Sequence, residues 1–496
     1  MRGSSRGLRR CFSAFVLVWA VTACGPRKAT QGETKDEGKI PITTSSTEAK
    51  QDYVKAKDLA QNLRTFESQQ VLQGVVSKDP KFAMAYYRLA LGAPTAKAFF
   101  EDLNKAVALA DQVSEGERLM ILGLQDGVNG NPGKQLERYT ALVTRYPRDE
   151  EAHVLLGNAY LGQQEYAKAV AEYQQAIAIA PNYAPSYNSL GYAYRPTGNL
   201  AEAEQAFKKY IELIPGDPNP YDSYAELLMK MGRFDESIAM YRKALSIDPA
   251  FTSSYVGAAA DWVYLGKHDS ARAETRKLQD AARTDGDRRT AMFTNALIDA
   301  DQGRLDLALA ELQKQYAMGE QISDTAAMAG DLGTMGDVLL ENGKPEEALK
   351  TYEQAVKLVE SSSRSPEVKD DNRLGHHFDL GRVAIRRNDL ATATAEADTF
   401  LQGATTKHND GEIRLAHQLA GMIALQQKQY DKALEELGQA DQQNGYNLYR
   451  MGLAHLGKGD KAGAKDLFTR VANLNILPSL DYAFVRTKAR QQAGLK

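Results

Sequence analysis

The sequence predicts an all-α fold of stacked helix–turn–helix units, and three observations carry that prediction. The stretch from Glu150 to Phe251 holds three near-copies of one 34-residue unit. Small and aromatic residues fall in register: Gly157, Gly191 and Ala225; Tyr160, Tyr194 and Leu228; Ala169, Ala203 and Ser237; Tyr173, Phe207 and Tyr241. Each copy closes on a proline, at Pro181, Pro215 and Pro249. Apolar residues recur at helical spacing, and no stretch reads convincingly as a strand.

The first copy reads as a leading helix over Glu150 to Gly162 and a second over Tyr166 to Ile179. Gly157 and Gly191 let the paired helices approach, with Tyr160 and Tyr194 expected to fill the gap one turn on. Ala169 and Ala203 do the same small-residue work on the second helix. Gly198 and Gly232 fall in the turn between helices, where a positive φ is needed. The prolines stop the second helix because the residue before a proline is pushed out of the α region.

This pattern resembles the tetratricopeptide repeat, a 34-residue helix–turn–helix unit, over 150–183, 184–217 and 218–251. The resemblance implies an α-solenoid in which units stack into a right-handed superhelix, with a concave groove lined mainly by the leading helices. Period and spacing alone give stacked helix pairs.

The chain of 496 residues, 43% hydrophobic, begins with a targeting segment over residues 1–23. Arg2, Arg6, Arg9 and Arg10 precede an apolar run from Phe12 to Ala23 that is too short to span a membrane. The run ends in Val21-Thr22-Ala23-Cys24-Gly25, which resembles a bacterial lipoprotein signal. That resemblance implies cleavage before Cys24, lipid on Cys24, and anchoring in a bacterial cell envelope. With Gly25 rather than aspartate next, it implies an outer membrane facing the periplasm if the source is Gram-negative. Arg9-Arg10 also faintly resembles a twin-arginine signal. The only cysteines are Cys11 and Cys24, so the mature chain has no free thiol and no disulfide. Losing the four arginines takes the formal charge from −3 to −7, which argues against a nucleic-acid partner.

Residues 24–48 are expected to form the lipidated cysteine and a flexible tether, because Pro26 to Lys50 is polar and lacks an apolar period. An N-terminal repeat array follows over 49–285, regular from 116. It includes weaker units at 49–82 and 83–115, the second interrupted by Gly92-Ala93-Pro94. A looser array spans 286–478, with units near 289–322, 329–362, 374–407, 414–444 and 445–478; Ser361 to Asp371 reads as a polar loop. Residues 479–496 read as a capping helix. Leu480, Ala483 and Phe484 would cover the last pair, and Arg486, Lys488, Arg490 and Gln491 would face water. The 24 tyrosines against two tryptophans are read as packing residues, at positions such as Tyr187, Tyr221 and Tyr255.

No phosphate loop, zinc signature or nucleophile elbow is present, and no cofactor, metal site or catalytic set is expected. His376 and His377 point about 100° apart on a helix, too far to share one metal easily. Asp285-Gly286-Asp287 reads as a polar turn. One constellation fits binding: leading-helix positions facing the groove carry Asn158, Asn188, Tyr192, Arg195, Asp222, Glu226 and Lys230. Asparagines can grip a peptide main chain, and Arg195 could pair with a carboxylate. In some relatives asparagine and basic residues of such a groove grip a partner's C-terminal carboxylate, but here lysines are scarce at the matching positions and Asp222 and Glu226 would repel one.

The expected function is a membrane-tethered, non-enzymatic scaffold of eleven or twelve helix pairs that binds proteins or peptides along its groove. In plan it is similar to bacterial repeat lipoproteins of envelope assembly. The rivals are a hydrolase or transferase in 289–478 using His376, Asp379, His408 and His417, and a scaffold that self-associates.

Overall fold

The computed structural model describes residues 38–61, 64–362 and 364–495. The signal segment, Cys24 and most of the tether lie outside them. The described residues contain helices and no strand. None of these helices is long and apolar enough to cross a membrane. They divide into two compact units, one holding residues up to Leu227 with Arg242–Pro249, the other holding Leu228–Tyr241 and everything from Ala250.

The N-terminal unit contains five helix pairs: α1 (Thr47–Gln61) with α2 (Thr65–Lys78), α3 (Ala83–Leu91) with α4 (Ala96–Ala108), α5 (Glu115–Val128) with α6 (Pro132–Arg145), α7 (Glu150–Gly162) with α8 (Tyr166–Ile179), and α9 (Ala184–Tyr194) with α10 (Leu200–Leu213). A 3-10 turn at Ala110–Gln112 precedes α5. Residues of α11 (Asn219–Lys230) and α12 (Phe234–Ile247) are shared between the two units.

The C-terminal unit continues with α13 (Thr252–Tyr264) and α14 (His268–Ala281), α15 (Asp285–Asp301) and α16 (Leu305–Gln321), α17 (Thr325–Glu341) and α18 (Pro345–Glu360), α19 (Pro366–Arg386) and α20 (Leu390–Thr406), α21 (Asp410–Gln426) and α22 (Tyr430–Gln439), and α23 (Gly445–Gly457) and α24 (Lys461–Ala472). The chain closes with α25 (Leu480–Ala483) and α26 (Arg486–Ala493).

Within a pair, the glycine of the leading helix is covered by the aromatic ring of the second. A methyl at Gly157 would lie 2.5 Å from Tyr173 Cε1, and one at Gly191 would lie 2.6 Å from Phe207 Cζ. Both rings are fully buried. The gap is therefore filled by Tyr173 and Phe207, not by Tyr160 and Tyr194, which are half-buried at the edge. Likewise Tyr187 and Tyr221 are half-buried, and their hydroxyls donate to the carbonyls of Pro181 (2.9 Å) and Pro215 (3.0 Å). They staple each leading helix to the proline turn before it.

The looser spacing of the second half has a simple cause. Leading helices start at Asp285, Thr325, Pro366 and Asp410, which is 40, 41 and 44 residues apart. Helices α15, α16 and α17 are 17 residues long, against 13 and 14 for α7 and α8. Each gains about one turn. Two expected loops become helix. Asp285-Gly286-Asp287 is the first turn of α15, started by a capping box between Thr284 and Asp287. The loop expected to run to Asp371 ends at Ser365, which caps α19, and Asp371 is buried.

Two further expectations are corrected. The tether does not run free to residue 48. Ile40 and Ile42 are buried, the amide of Ile40 donates to Asp149 Oδ2 at 3.1 Å, and that of Thr43 donates to Glu117 Oε1 at 2.8 Å. The C-terminal residues are two short helices, and Arg486 does not face water: it is 5% exposed and forms two 2.6 Å bonds to Asp301.

Candidate binding groove

The predicted groove residues sit on α7, α9 and α11, and the structure separates them into two sets. Asn158 accepts a hydrogen bond from the Tyr173 hydroxyl at 2.7 Å, so the ring that covers Gly157 also orients this amide. Asn158 Nδ2 and Asn188 Oδ1 are buried with no hydrogen-bond partner among the described residues. A buried amide atom left without a partner costs about 1–3 kcal/mol, so these two positions carry unmet hydrogen-bonding capacity.

The second set is already engaged. Arg195 Nη1 lies 2.8 Å from Glu226 Oε2, both side chains about nine-tenths buried, and the guanidinium stands 4.8 Å over the Tyr192 ring. Tyr192 packs edge-on against Phe207, with centroids 5.3 Å apart. Asp222 is buried. The expectation that Arg195 would take a ligand carboxylate is thereby corrected, since the next leading helix supplies that carboxylate. Lone arginines read from sequence give no hint of this, although the Arg195-to-Glu226 spacing across one repeat does.

Charged side chains that sequence reasoning missed join α1, α3 and α7. Arg88 is fully buried, accepted by Tyr53 Oη at 3.0 Å and Glu151 Oε1 at 2.8 Å. Burial pushes the Glu151 carboxyl up to about 7 against the pull of Arg88. Burial also brings the Lys57 ammonium down to about 7.

Along the first turns of α5 and α7 the unit holds an extended stretch of its own chain. Ser114 and Glu117 form a capping box, and both also bind the stretch. Ser114 N donates to Thr43 Oγ1 at 3.1 Å, and Ser114 Oγ donates to Pro41 O at 3.3 Å. Lys39 pairs with Glu150, and Thr44 donates to Asp79 Oδ2 at 2.5 Å. Ile40 packs against Gly116, where a methyl would lie 2.8 Å from its Cγ2. Burial raises the Glu117 carboxyl even though the Thr43 and Ser114 bonds pull it down.

The histidines of the second half do not form a shared site. His377 Nδ1 lies 2.6 Å from Glu396 and His417 Nδ1 lies 2.8 Å from Glu436, repeating His153 and Glu172 at 2.7 Å. In all three the partner stands 19 residues later on the second helix, so these are pins within helix pairs. His408 is exposed in a turn, and Asp379 is buried 3.6 Å from Arg382. Among the described residues no three His, Cys, Asp or Glu side chains gather to hold a metal ion.

Helix pairs closed by a glycine–aromatic contact, joined through proline turns and lined by leading helices, define an α-helical repeat protein. Tetratricopeptide-repeat family models match residues 157–198, 184–217, 219–251, 334–404 and 446–475. The chain carries tetratricopeptide repeats. No curated protein matches it in sequence. Similar solved structures include a tetratricopeptide repeat protein from Parabacteroides merdae, at 18% identity over 58% of this chain and 99% of that one, TM-score 0.35. Another is MamA from Desulfovibrio magneticus, at 15% identity over 34% of this chain and 95% of that one, TM-score 0.29. A third is the Cut9–Hcn1 hetero-tetramer of the APC/C, at 14% identity over 88% of this chain and 77% of that one, TM-score 0.40.

Proposed function

We propose that this chain is a non-enzymatic adaptor that holds polypeptide segments of partner proteins on the leading helices of its repeats, while lipid on Cys24 tethers it to a membrane. The observation that carries the binding half is the seating of residues 39–44: main-chain amides of an extended stretch bonded to Asp149 and Glu117. Leading helices that grip an extended main chain within the molecule have the chemistry to grip one from outside. The asparagine pair Asn158 and Asn188 offers the matching amide groups on the next helices.

The tether half rests on the Val21-Thr22-Ala23-Cys24-Gly25 motif. An envelope location facing the periplasm follows from it if the source is Gram-negative. Metabolic labelling with a fatty acid should mark the wild type and not Cys24→Ser; equal labelling removes the anchor. For binding, the form beginning at Gly25 is used to capture partners from the source organism. The double variant Asn158→Ala, Asn188→Ala should weaken capture at least fivefold while keeping the melting temperature within a few degrees. Undiminished capture would move the site elsewhere. Light scattering on the same form checks self-association, the other scaffold reading.

A further inference from the structure

In the C-terminal unit the fold buries a cation and does not pair it. Arg450, on the leading helix α23, is 8% exposed. Its guanidinium stands over the Tyr446 ring, 3.7 Å from the centroid, and Nη1 donates to Asn447 Oδ1 at 3.2 Å. Among the described residues no carboxylate lies within 4 Å of it. Asn447 is itself fixed, since its Nδ2 donates to Asp441 O at 3.2 Å and leaves Oδ1 for the arginine.

The carboxylates nearby are engaged by other groups. Glu341 accepts from the Tyr446 hydroxyl at 2.7 Å and pairs with Lys488 at 2.7 Å and Arg386 at 2.9 Å. Asp337 takes Arg382 at 2.7 Å, with Asp379 3.6 Å from the same guanidinium. Asp481 accepts from Asn444 Nδ2 at 3.1 Å. Burial pushes the Arg450 guanidinium below the usual arginine range and Arg382 adds to the push, against the opposing pull of Tyr446, Asp481 and Glu341.

Buried charges are paired as a rule, because an unpaired one forfeits its hydration without return. An arginine braced by a ring and an amide keeps the fork that takes both oxygens of one carboxylate. The approach to it is basic. Lys488 and Arg386, which meet at the glutamate that anchors Tyr446, have side chains 50% and 43% exposed, while Arg382 behind them is 12% exposed. A rim of cations in water above a buried one draws an anion inward. Glu341, Asp337 and Asp481 stand close by, so a single negative charge suits the place better than a doubly charged group. Arg450 lies below the rim, so the carboxylate has to arrive on a stalk, which an amino-acid side chain supplies while its main chain stays outside.

We propose that Arg450, with Tyr446 and Asn447, is the seat for the carboxylate of a glutamate or aspartate side chain on a bound partner segment. The partner's carboxylate is the counter-ion that the fold withholds. This rests on the adaptor reading and gives the chemistry of the partner at the C-terminal unit.

The test is thermal unfolding of the full chain with acetyl-Ala-Glu-Ala-amide, compared with acetyl-Ala-Gln-Ala-amide at equal ionic strength. At about 20 mM the glutamate peptide should raise the wild-type melting temperature by about 3 °C more than the glutamine peptide. In Arg450→Gln the two peptides should act alike. No difference between them on the wild type overturns the proposal, as does an undiminished difference in Arg450→Gln. If Arg450→Gln loses its helical circular dichroism, Arg450→Lys decides, because an ammonium keeps the charge and lacks the fork. A difference cut at least twofold then supports the proposal, and an unchanged one overturns it. Acetate and inorganic phosphate at the same concentration separate the sources. A larger shift with either, lost in the same variant, assigns Arg450 to a free anion and overturns the side-chain reading. The Asn158 and Asn188 capture experiment judges the adaptor reading on other residues, so either result can fail alone.

Discussion

Gly157 and Gln164 show how much a single position carries. With Tyr173 Cε1 2.5 Å from where a methyl would stand, Gly157→Ala forces the ring or the helix aside. It should cost about 2–3 kcal/mol in urea unfolding. Gln164 is the reverse case. It holds φ at 66°, in the turn where the neighbouring repeats place Gly198 and Gly232 at 80° and 74°. Gln164→Gly should therefore stabilise by roughly 0.5–1 kcal/mol. Asp217 gives a pH-dependent prediction. Burial lifts its carboxyl to about 7, and its Oδ2 has no hydrogen-bond partner among the described residues. A carboxyl raised in the folded state costs nothing below about pH 4, where both states are protonated, and its penalty grows as pH rises to about 7. Asp217→Asn should raise the melting temperature at pH 8 and leave it nearly unchanged at pH 4, with a gain on the order of 1–3 kcal/mol at the higher pH. The glycine, alanine and proline register was legible in the sequence because those residues act through size and backbone angle. The buried charges were not, since Arg88 and Glu151 stand 63 residues apart and only folding brings them together.

At the scale of elements, period was a good guide wherever helix length stayed constant. The bounds of α7 and α8 follow from the turn at Gln164 and the proline stop at Pro181. From α15 to α21 the helices run 16 to 21 residues, so the 34-residue ruler slips while the helix pairs remain. The segment around Ile40 was invisible for another reason. Two isoleucines in a polar stretch make no pattern, and their hydrogen bonds use main-chain amides, which every sequence has. The contact makes a prediction of its own. Ile40→Ser should lower stability by about 1–2 kcal/mol through lost apolar burial. It should also speed tryptic cleavage after Lys39, read by mass spectrometry of the fragments. Unchanged cleavage would show that the main-chain bonds alone hold the segment.

At the scale of the molecule, the fold class was legible and the binding surfaces only in part. Tetratricopeptide repeats were marked by their spacing. Which groove positions stay open was not, because Arg195 finds Glu226 and the chain's end finds Asp301 through contacts between repeats. In the C-terminal unit the final helices join the last pair to α15, so removing residues 479–496 should broaden the urea transition and lower its slope. An array without a closing contact frays from its ends.

The contact between Arg486 and Asp301 also sets an order of events in folding. Helix pairs form from residues close in sequence and can begin anywhere along the array. The closing contact joins residues 185 apart, and the Tyr264–Ile476 bond joins residues 212 apart. Bringing such distant ends together from a loose chain costs about 4–5 kcal/mol in loop entropy, a cost that falls once the intervening pairs have stacked. Closure therefore follows the stacking of the pairs it spans. Until it closes, Tyr264 and Leu297 stay uncovered. The contact thus hides apolar surface that a chaperone or protease would otherwise read as unfolded.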